Sequence, residues 1–318
     1  MMIAGAVAAG CIATGTAADA ATTTSSARSS AHWGQPGGQY DYYLALGDSL
    51  AWGYQPDSAG NGVKSGHGYA DDLAAYLREH GNRNLDYVNL SCPGETTGTM
   101  LDGGCPLLAG SGQSYSVQED AAVAFLKAHP HARILVTLDI GANNVDQCLS
   151  GSGSIDATCV AEGVATAGTQ LPEILGELKA AAGRHVSFVG MNLYDPFLAE
   201  WLTGSSGQTL AAESVALSTT FNGVLGADYA LFGVPVADVS GAFQTADFTD
   251  TTSLGGATVP VNVANICEWT WMCAPAPVNP SSVSMLGLAS QPNIHPNDAG
   301  YAVIARTFED QLRDRRWS

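Results

Sequence analysis

The stretch Tyr42-Tyr43-Leu44-Ala45-Leu46-Gly47-Asp48-Ser49-Leu50 decides how this chain is read. Five apolar residues in a row, stopped by a glycine, have the length and composition of a strand buried on both faces, as in a parallel sheet. The turn that follows delivers Ser49 to the carboxyl edge of that strand. Open α/β sheets bind and process their ligands at that edge. By itself a serine after Gly-Asp is most often an ordinary turn residue. Its weight depends on what the rest of the chain sets beside it.

Outward from this strand, the chain alternates. Residues 85–90, 133–140, 185–191 and 234–239 read as further strands, the second of them the most β-branched. Between them lie helical patterns. Tyr69, Leu73, Tyr76 and Leu77 share one face and stop at Gly81; residues 118–129 stop before Pro130; residues 160–182 stop at Gly183, with Pro172 expected to break the helix; residues 210–231 and 297–313 complete the set. This order predicts an α/β fold, a five-stranded parallel sheet with helices on both faces. No repeat of 20–50 residues recurs, and no linker interrupts residues 40–318, so a single domain is expected over 36–318. Residues 241–291 are too long for a bare connection and call for structure of their own.

Composition narrows the function classes. Hydrophobic residues make up 46% of the 318, enough for a substantial core. Lys and Arg number 12 against 30 Asp and Glu, a net charge of −18 that argues against nucleic acid and anionic membranes as partners. Residues 1–21 are small and apolar and end near Ala18-Asp19-Ala20, an A-x-A-type cleavage site. The Thr/Ser/Ala-rich stretch after them reads as a flexible tether, so residues 1–35 are expected to be a signal peptide and tether. Cys11 after Ala8-Ala9-Gly10 is a loose match to a lipoprotein attachment box, the alternative to free secretion. The remaining cysteines fall into three sequence-local couples: Cys92 and Cys105, Cys148 and Cys159, Cys267 and Cys273. Six cysteines allow 15 connectivities. Local closure costs the least chain entropy, and zinc is disfavoured because no C-x₂-C spacing or histidine pair accompanies them. Such bridges fit an exported protein.

A serine hydroxyl becomes a nucleophile when a base removes its proton and donors hold the oxyanion that forms. Four segments meet that need: Ser49 after the first strand; Ser91-Cys92-Pro93-Gly94 after the second; Gly141-Ala142-Asn143-Asn144 after the third; and His295-Pro296-Asn297-Asp298 opening the last helix. Each has a plainer reading. Pro93-Gly94 makes a turn, Asn143 satisfies loop backbone, and His295 enters a helix. Their conjunction on one sheet edge favours chemistry. The chain resembles the GDSL or SGNH hydrolase family, whose blocks run in the order Ser, Gly, Asn, His, here Ser49, Gly94, Asn143 and His295. The resemblance spans residues 42 to about 306. It implies a flavodoxin-like three-layer α/β/α sandwich, Ser49 as nucleophile, and His295 as general base. The amides of Ser49 and Gly94 and the side chain of Asn143 would form the oxyanion hole. The spread of blocks is also similar to that of secreted actinobacterial members, which carry three local disulfides.

Two positions depart from the family pattern. Asn144 stands where the third block usually has aspartate, and Pro292 stands where Asp-x-x-His would place the acid that orients the histidine. The main-chain carbonyl of Pro292 is the expected orienter, with Asn293 a second candidate. Asp298 reads as a helix cap. Asp48 reads as ordering the nucleophile turn, and Asp139 as a buried residue without a role beyond structure. Trp52, Tyr54, Trp269 and Trp271 are candidate pocket walls, though tryptophans in a small loop serve equally as anchors to the core.

The expected protein is therefore a secreted serine esterase or lipase acting on lipid or simple acyl esters, monomeric, with no cofactor or metal and no stable membrane insertion. A polysaccharide or xenobiotic acetylesterase on the same fold is the alternative enzyme, and a non-catalytic carbohydrate- or lipid-binding relative the alternative of another class. Dinucleotide binding is rejected because Trp52 occupies the place of the third glycine of G-x-G-x-x-G.

Overall fold

Strand β1 (Tyr42–Gly47) is buried from Tyr43 onward and is an interior strand of a parallel sheet. In the computed structural model, residues 40–148, 154–274 and 293–314 are described. The expected leader and tether, Cys11 and Pro292 lie outside them. After β1 come the one-turn helix α1 (Ser49–Trp52), a short antiparallel hairpin of β2 (Tyr54–Pro56) and β3 (Gly62–Lys64), α2 (Tyr69–Glu79), β4 (Asp86–Asn89), α3 (Thr97–Asp102) and α4 (Gln118–Ala128). Then follow β5 (Ile134–Asp139), α5 (Ala142–Val145), α6 (Ala157–Ala181), β6 (Val186–Met191), α7 (Ser205–Leu231), β7 (Val236–Ala237) and α8 (Val239–Ala242). A second hairpin, β8 (Thr251–Leu254) with β9 (Ala257–Pro260), leads to α9 (Val261–Trp269) and the final helix α10 (Asp298–Asp314).

The sheet order is β4-β1-β5-β6-β7, all parallel. This is the flavodoxin-like order, in which the chain leaves β1 first to one side and then to the other. A crevice opens at the carboxyl ends of the strands where the direction switches. β5 is buried along its whole length, as expected of a strand covered on both faces. One layer of helices packs α6 against α3, α4 and α7, and the other packs α10 against α2, α8 and α9. Tyr69 on α2 stacks on Phe308 of α10 at 4.8 Å between ring centroids, which joins α2 to the last helix within that layer.

The five strands and the long helices stand where the sequence places them. Pro172 does not break its helix: α6 runs through it from Ala157 to Ala181. A mid-helix proline costs about 3 kcal/mol. Ala167 and Leu171 on one side of it and Ile174, Leu175 and Leu178 on the other are all buried, and that apolar stripe outweighs the lost bond. Of the segment 241–291 the described residues, up to 274, are structured, as expected, by the hairpin β8–β9 and by α9. No helix among the described residues is long and apolar enough to cross a membrane.

Candidate active site

Ser49 begins α1 directly after β1, with Asp48 as the helix N-cap. Asp48 Oδ1 accepts from the Leu50 amide at 2.9 Å and lies 3.5 Å from Ser49 Oγ. Asp48 thus orders the turn that carries Ser49. The turn needs Gly47: its φ is +130°, and a Cβ there would fall 1.9 Å from the Asp139 carbonyl oxygen. Gln118, at the start of α4, grips the same residue. Its Oε1 accepts from the Gly47 amide at 2.7 Å, and its Nε2 donates to the Gly47 carbonyl at 2.9 Å. The side-chain amide thereby acts as one more rung of backbone pairing at the end of β1.

His295 reaches Ser49 from the other end of the chain. Its Nε2 stands 2.8 Å from Ser49 Oγ, and the two residues are 3% and 5% exposed. Asn293 Oδ1 receives both the His295 main-chain amide at 3.0 Å and His295 Nδ1 at 2.8 Å. A main-chain N–H can only donate, so the Asn293 atom is an oxygen and Nδ1 carries the ring proton. Nε2 is left with a lone pair facing the serine hydroxyl. Nδ1 is thus held by the side chain of Asn293, the second candidate for the orienter; Pro292, the first, lies outside the described residues. Among the described residues no carboxylate hydrogen-bonds His295. Burial without an ionic partner lowers the histidine pKa to about 3, so the resting imidazole is neutral.

The backbone around His295 is clasped. Trp271 N donates to the His295 carbonyl at 2.9 Å, Asn297 N to the Trp269 carbonyl at 3.0 Å, and Tyr194 Oη to the Ile294 carbonyl at 2.7 Å. Trp269 stands edge-on to Phe243. Trp52 is buried, with its indole N–H on the Ser111 carbonyl at 3.0 Å. These three tryptophans, Trp52, Trp269 and Trp271, do not line the cavity beside Ser49. The expectation that they form its wall is corrected, because their rings or their backbone anchor neighbouring segments instead. Tyr54 does line the cavity, with its ring 4.3 Å from that of His295.

Asn143, in α5, donates through Nδ2 to the Glu95 carbonyl at 2.9 Å and to Asp48 Oδ2 at 3.3 Å. The second and third blocks therefore meet at Glu95, one residue beyond Gly94, whose φ of +85° makes the turn. Gly94 itself is not among the residues lining the cavity. Asn144 joins α5 to α3: its Oδ1 accepts from the Thr97 amide at 3.1 Å and its Nδ2 donates to Thr97 Oγ1 at 2.8 Å. The Thr97 hydroxyl gives its own proton to Gln170 Oε1 at 2.6 Å, so an ionised aspartate at 144, which has no proton to donate, could not make the second bond.

A pair of buried acids lies beneath the nucleophile. Asp139 accepts from the Tyr69 hydroxyl at 2.7 Å and from the Ala51 amide at 3.2 Å. Desolvation raises both carboxyls, Asp48 to about 6 and Asp139 well above the carboxylate range; the Asp48 charge raises Asp139 further, while the hydrogen bond between them holds Asp48 down. Above about pH 6 the pair therefore keeps one proton, on Asp139. Cys92–Cys105, Cys148–Cys159 and Cys267–Cys273 are all bridged. Among the described residues the one group with metal-ligand spacing is Cys92, Glu95 and Cys105, and there the two sulfurs are bonded to each other.

The profile of the GDSL-like lipase/acylhydrolase family matches residues 45–303. The chain belongs to that family. It is a carboxylic ester hydrolase on the family's α/β sheet. Among solved structures, the extracellular lipase of Streptomyces rimosus aligns at 20% identity and a TM-score of 0.50, over 85% of this chain and 98% of that one. Phospholipase A1 of Streptomyces albidoflavus aligns at 18% identity and 0.49, over 85% and 99%. An acetylxylan esterase of Geobacillus stearothermophilus aligns at 15% and 0.47, over 86% and 95%. No curated protein sequence matches this hydrolase.

The hydrolase's cavity beside Ser49 has a volume of about 130 Å³, with walls that include Val145, Val160, Tyr194, Phe197, Leu217 and Phe221. Sequence reading did not foresee the parts played by Gln118 and Glu95. Glu95 is fully buried and accepts from Gln118 Nε2 at 2.8 Å. The available signal was faint: a glutamine at the first position of a helix that faces a strand end.

Proposed function

We propose that this hydrolase is a secreted serine enzyme that cleaves lipid or simple acyl esters through an acyl-enzyme on Ser49. The observation that carries the reading is the 2.8 Å contact from Ser49 Oγ to a His295 nitrogen whose lone pair faces it. Ser49 Oγ attacks the ester carbonyl carbon as its proton passes to His295 Nε2. The tetrahedral oxyanion draws on the amides of Ser49 and Gly94 and on Asn143 Nδ2, which gives up its 3.3 Å contact to Asp48. His295 then returns the proton to the departing alcohol oxygen. Water attacks the acyl-enzyme with His295 again as base, releasing the carboxylic acid and freeing Ser49.

The largely apolar cavity supports an acyl chain over a sugar. Three disulfides and the A-x-A-type leader support export, and the Streptomyces rimosus relative is an extracellular lipase. The test is phosphonylation by an alkyl p-nitrophenyl phosphonate, located by peptide mass spectrometry, together with Ser49→Ala. Label on Ser49, and a loss of about three orders of magnitude or more in ester hydrolysis by folded Ser49→Ala, are expected. Near-normal turnover by that variant would refute the assignment.

A further inference from the structure

The cavity beside Ser49 carries a side chain that the proposed reaction does not use. Asp146 follows α5, three residues after Asn143, and lines the cavity. It is partly buried, and no hydrogen bond reaches its carboxyl from any described residue. The other two carboxyls on the wall are engaged. Asp48 caps α1. Asp195 accepts from the Phe197 amide at 2.9 Å and from Ser214 Oγ at 2.7 Å. An unpartnered carboxyl in an apolar wall is costly, and a bound ligand would supply the missing partner.

The surroundings say which ligand. Among the described residues no Lys or Arg borders the cavity. The titratable groups that line the cavity with Asp146 are Asp48, Asp195, Tyr54, Tyr194 and His295, and α6, packed behind α5, contributes apolar Val160 to the wall. Every formal charge available there is negative, since His295 is neutral. Tyr54, Tyr194, Phe197 and Phe221 add aromatic rings to the same wall. A carboxylate among aromatic rings in a desolvated pocket is the chemistry that receives an organic ammonium group. An anionic group placed there would meet like charges and no counter-charge.

We propose that Asp146 makes this cavity a receptor for the ammonium group of a cationic ester, and so sets the substrate class of the hydrolase. The inference rests on the Ser49 ester-hydrolase reading and narrows it. Binding is strongest when Asp146 is ionised. Burial and the neighbouring carboxylates Asp48 and Asp195 push its pKa up to about 8, so selectivity for a cation grows as pH rises through that value.

The experiment compares isosteres that differ only in charge. One pair is choline butyrate and its analogue with tert-butyl in place of trimethylammonium. The other is the p-nitrophenyl ester of a butanoyl chain ending in trimethylammonium and its tert-butyl counterpart. The first pair carries the charge on the alcohol and the second on the acyl side. In at least one pair, kcat/KM for the cationic ester exceeds that for its isostere by about tenfold or more near pH 8.5, and the ratio shrinks by pH 6. In Asp146→Asn the ratio falls to within about threefold of unity and loses its pH dependence. Should that variant not fold, the wild-type ratio and competitive inhibition by tetramethylammonium, tightening over the same pH range, decide the matter. Neutral esters cleaved as fast as cationic ones or faster in both pairs, with no inhibition by tetramethylammonium, would overturn the inference and leave Ser49 hydrolysis standing. Failure to cleave any of the four esters would remove the hydrolase reading and this inference with it.

Discussion

At the scale of single residues, Asn293 decides the form of the site. Its side-chain oxygen takes two N–H groups of His295 and fixes the tautomer without bringing a charge. A neutral acceptor stabilises imidazolium less than a carboxylate does, so proton uptake by His295 is left to the transition state. Asn293→Ala is expected to lower kcat by about 10–10²-fold with little change in KM, measured by steady-state kinetics. Asn293→Asp keeps both contacts, adds charge, and should move the acid limb of kcat/KM upward toward the ordinary histidine value. An unchanged kcat in Asn293→Ala would mean that another group orients the ring. Ser49, Asn143 and His295 were legible because each sits at a strand end or helix start that apolar runs mark. The orienter was harder to read. With Pro292 in the place of the acid, sequence offers two neighbouring acceptors, a carbonyl and an amide, and only the loop's path selects between them. Gln118 was not legible, because an amide that imitates backbone leaves no pattern in the chain.

At the scale of elements, the start of α10 and the end of α9 act as a clasp for the base. Asn297 Nδ2 donates to the Glu268 carbonyl at 2.8 Å, and Thr270 bridges to Pro296. Gly300 closes the contact: a Cβ there would lie 2.0 Å from the Trp269 carbonyl oxygen. Alanine at a helical glycine usually stabilises by about 1 kcal/mol. Here the clash with fixed backbone wins. Gly300→Ala should destabilise by about 1–3 kcal/mol and lower kcat more than it raises KM, because His295 shifts with the clasp. Differential scanning calorimetry and kinetics on one preparation check both, and a stabilised, fully active variant would contradict the clasp. The long elements could be read from periodicity. The two hairpins could not, since each strand has only three or four residues and β3 is exposed throughout. Tryptophans 269 and 271 were ambiguous because pocket walls and anchors both bury indole rings.

At the scale of the whole molecule, buried acids and a surplus of negative charge act in the same direction. Burial raises Glu119 and Asp146 to about 8 and Asp195 to about 6. The folded protein keeps these protons where the unfolded chain has lost them, so stability falls as pH rises from the carboxylate range through about 8. His295 works oppositely. Its neutral form favours the fold above the ordinary value of about 6.5, and that contribution is lost as pH falls toward about 3. Above pH 6.5 only the acids titrate in this set, and the net charge of −18 adds self-repulsion. Tm should therefore drop by several degrees between about pH 6.5 and 8.5 at low salt. Glu119→Gln, which removes one of the titrations, should reduce the slope. A Tm that is flat or rising over that interval would contradict this account.

The bond between Ser49 and His295 joins residues 246 apart in sequence. A ribosome, or a translocation pore threading the chain amino end first, releases the serine long before the histidine. Until α10 seats against α2 and α9, the serine is an ordinary alcohol with no base beside it. On the proposed Ser49–His295 mechanism the enzyme is its own safety catch during biosynthesis: the ester bonds of the cell that makes it face an inert polypeptide, and reactivity arrives only with the last helix.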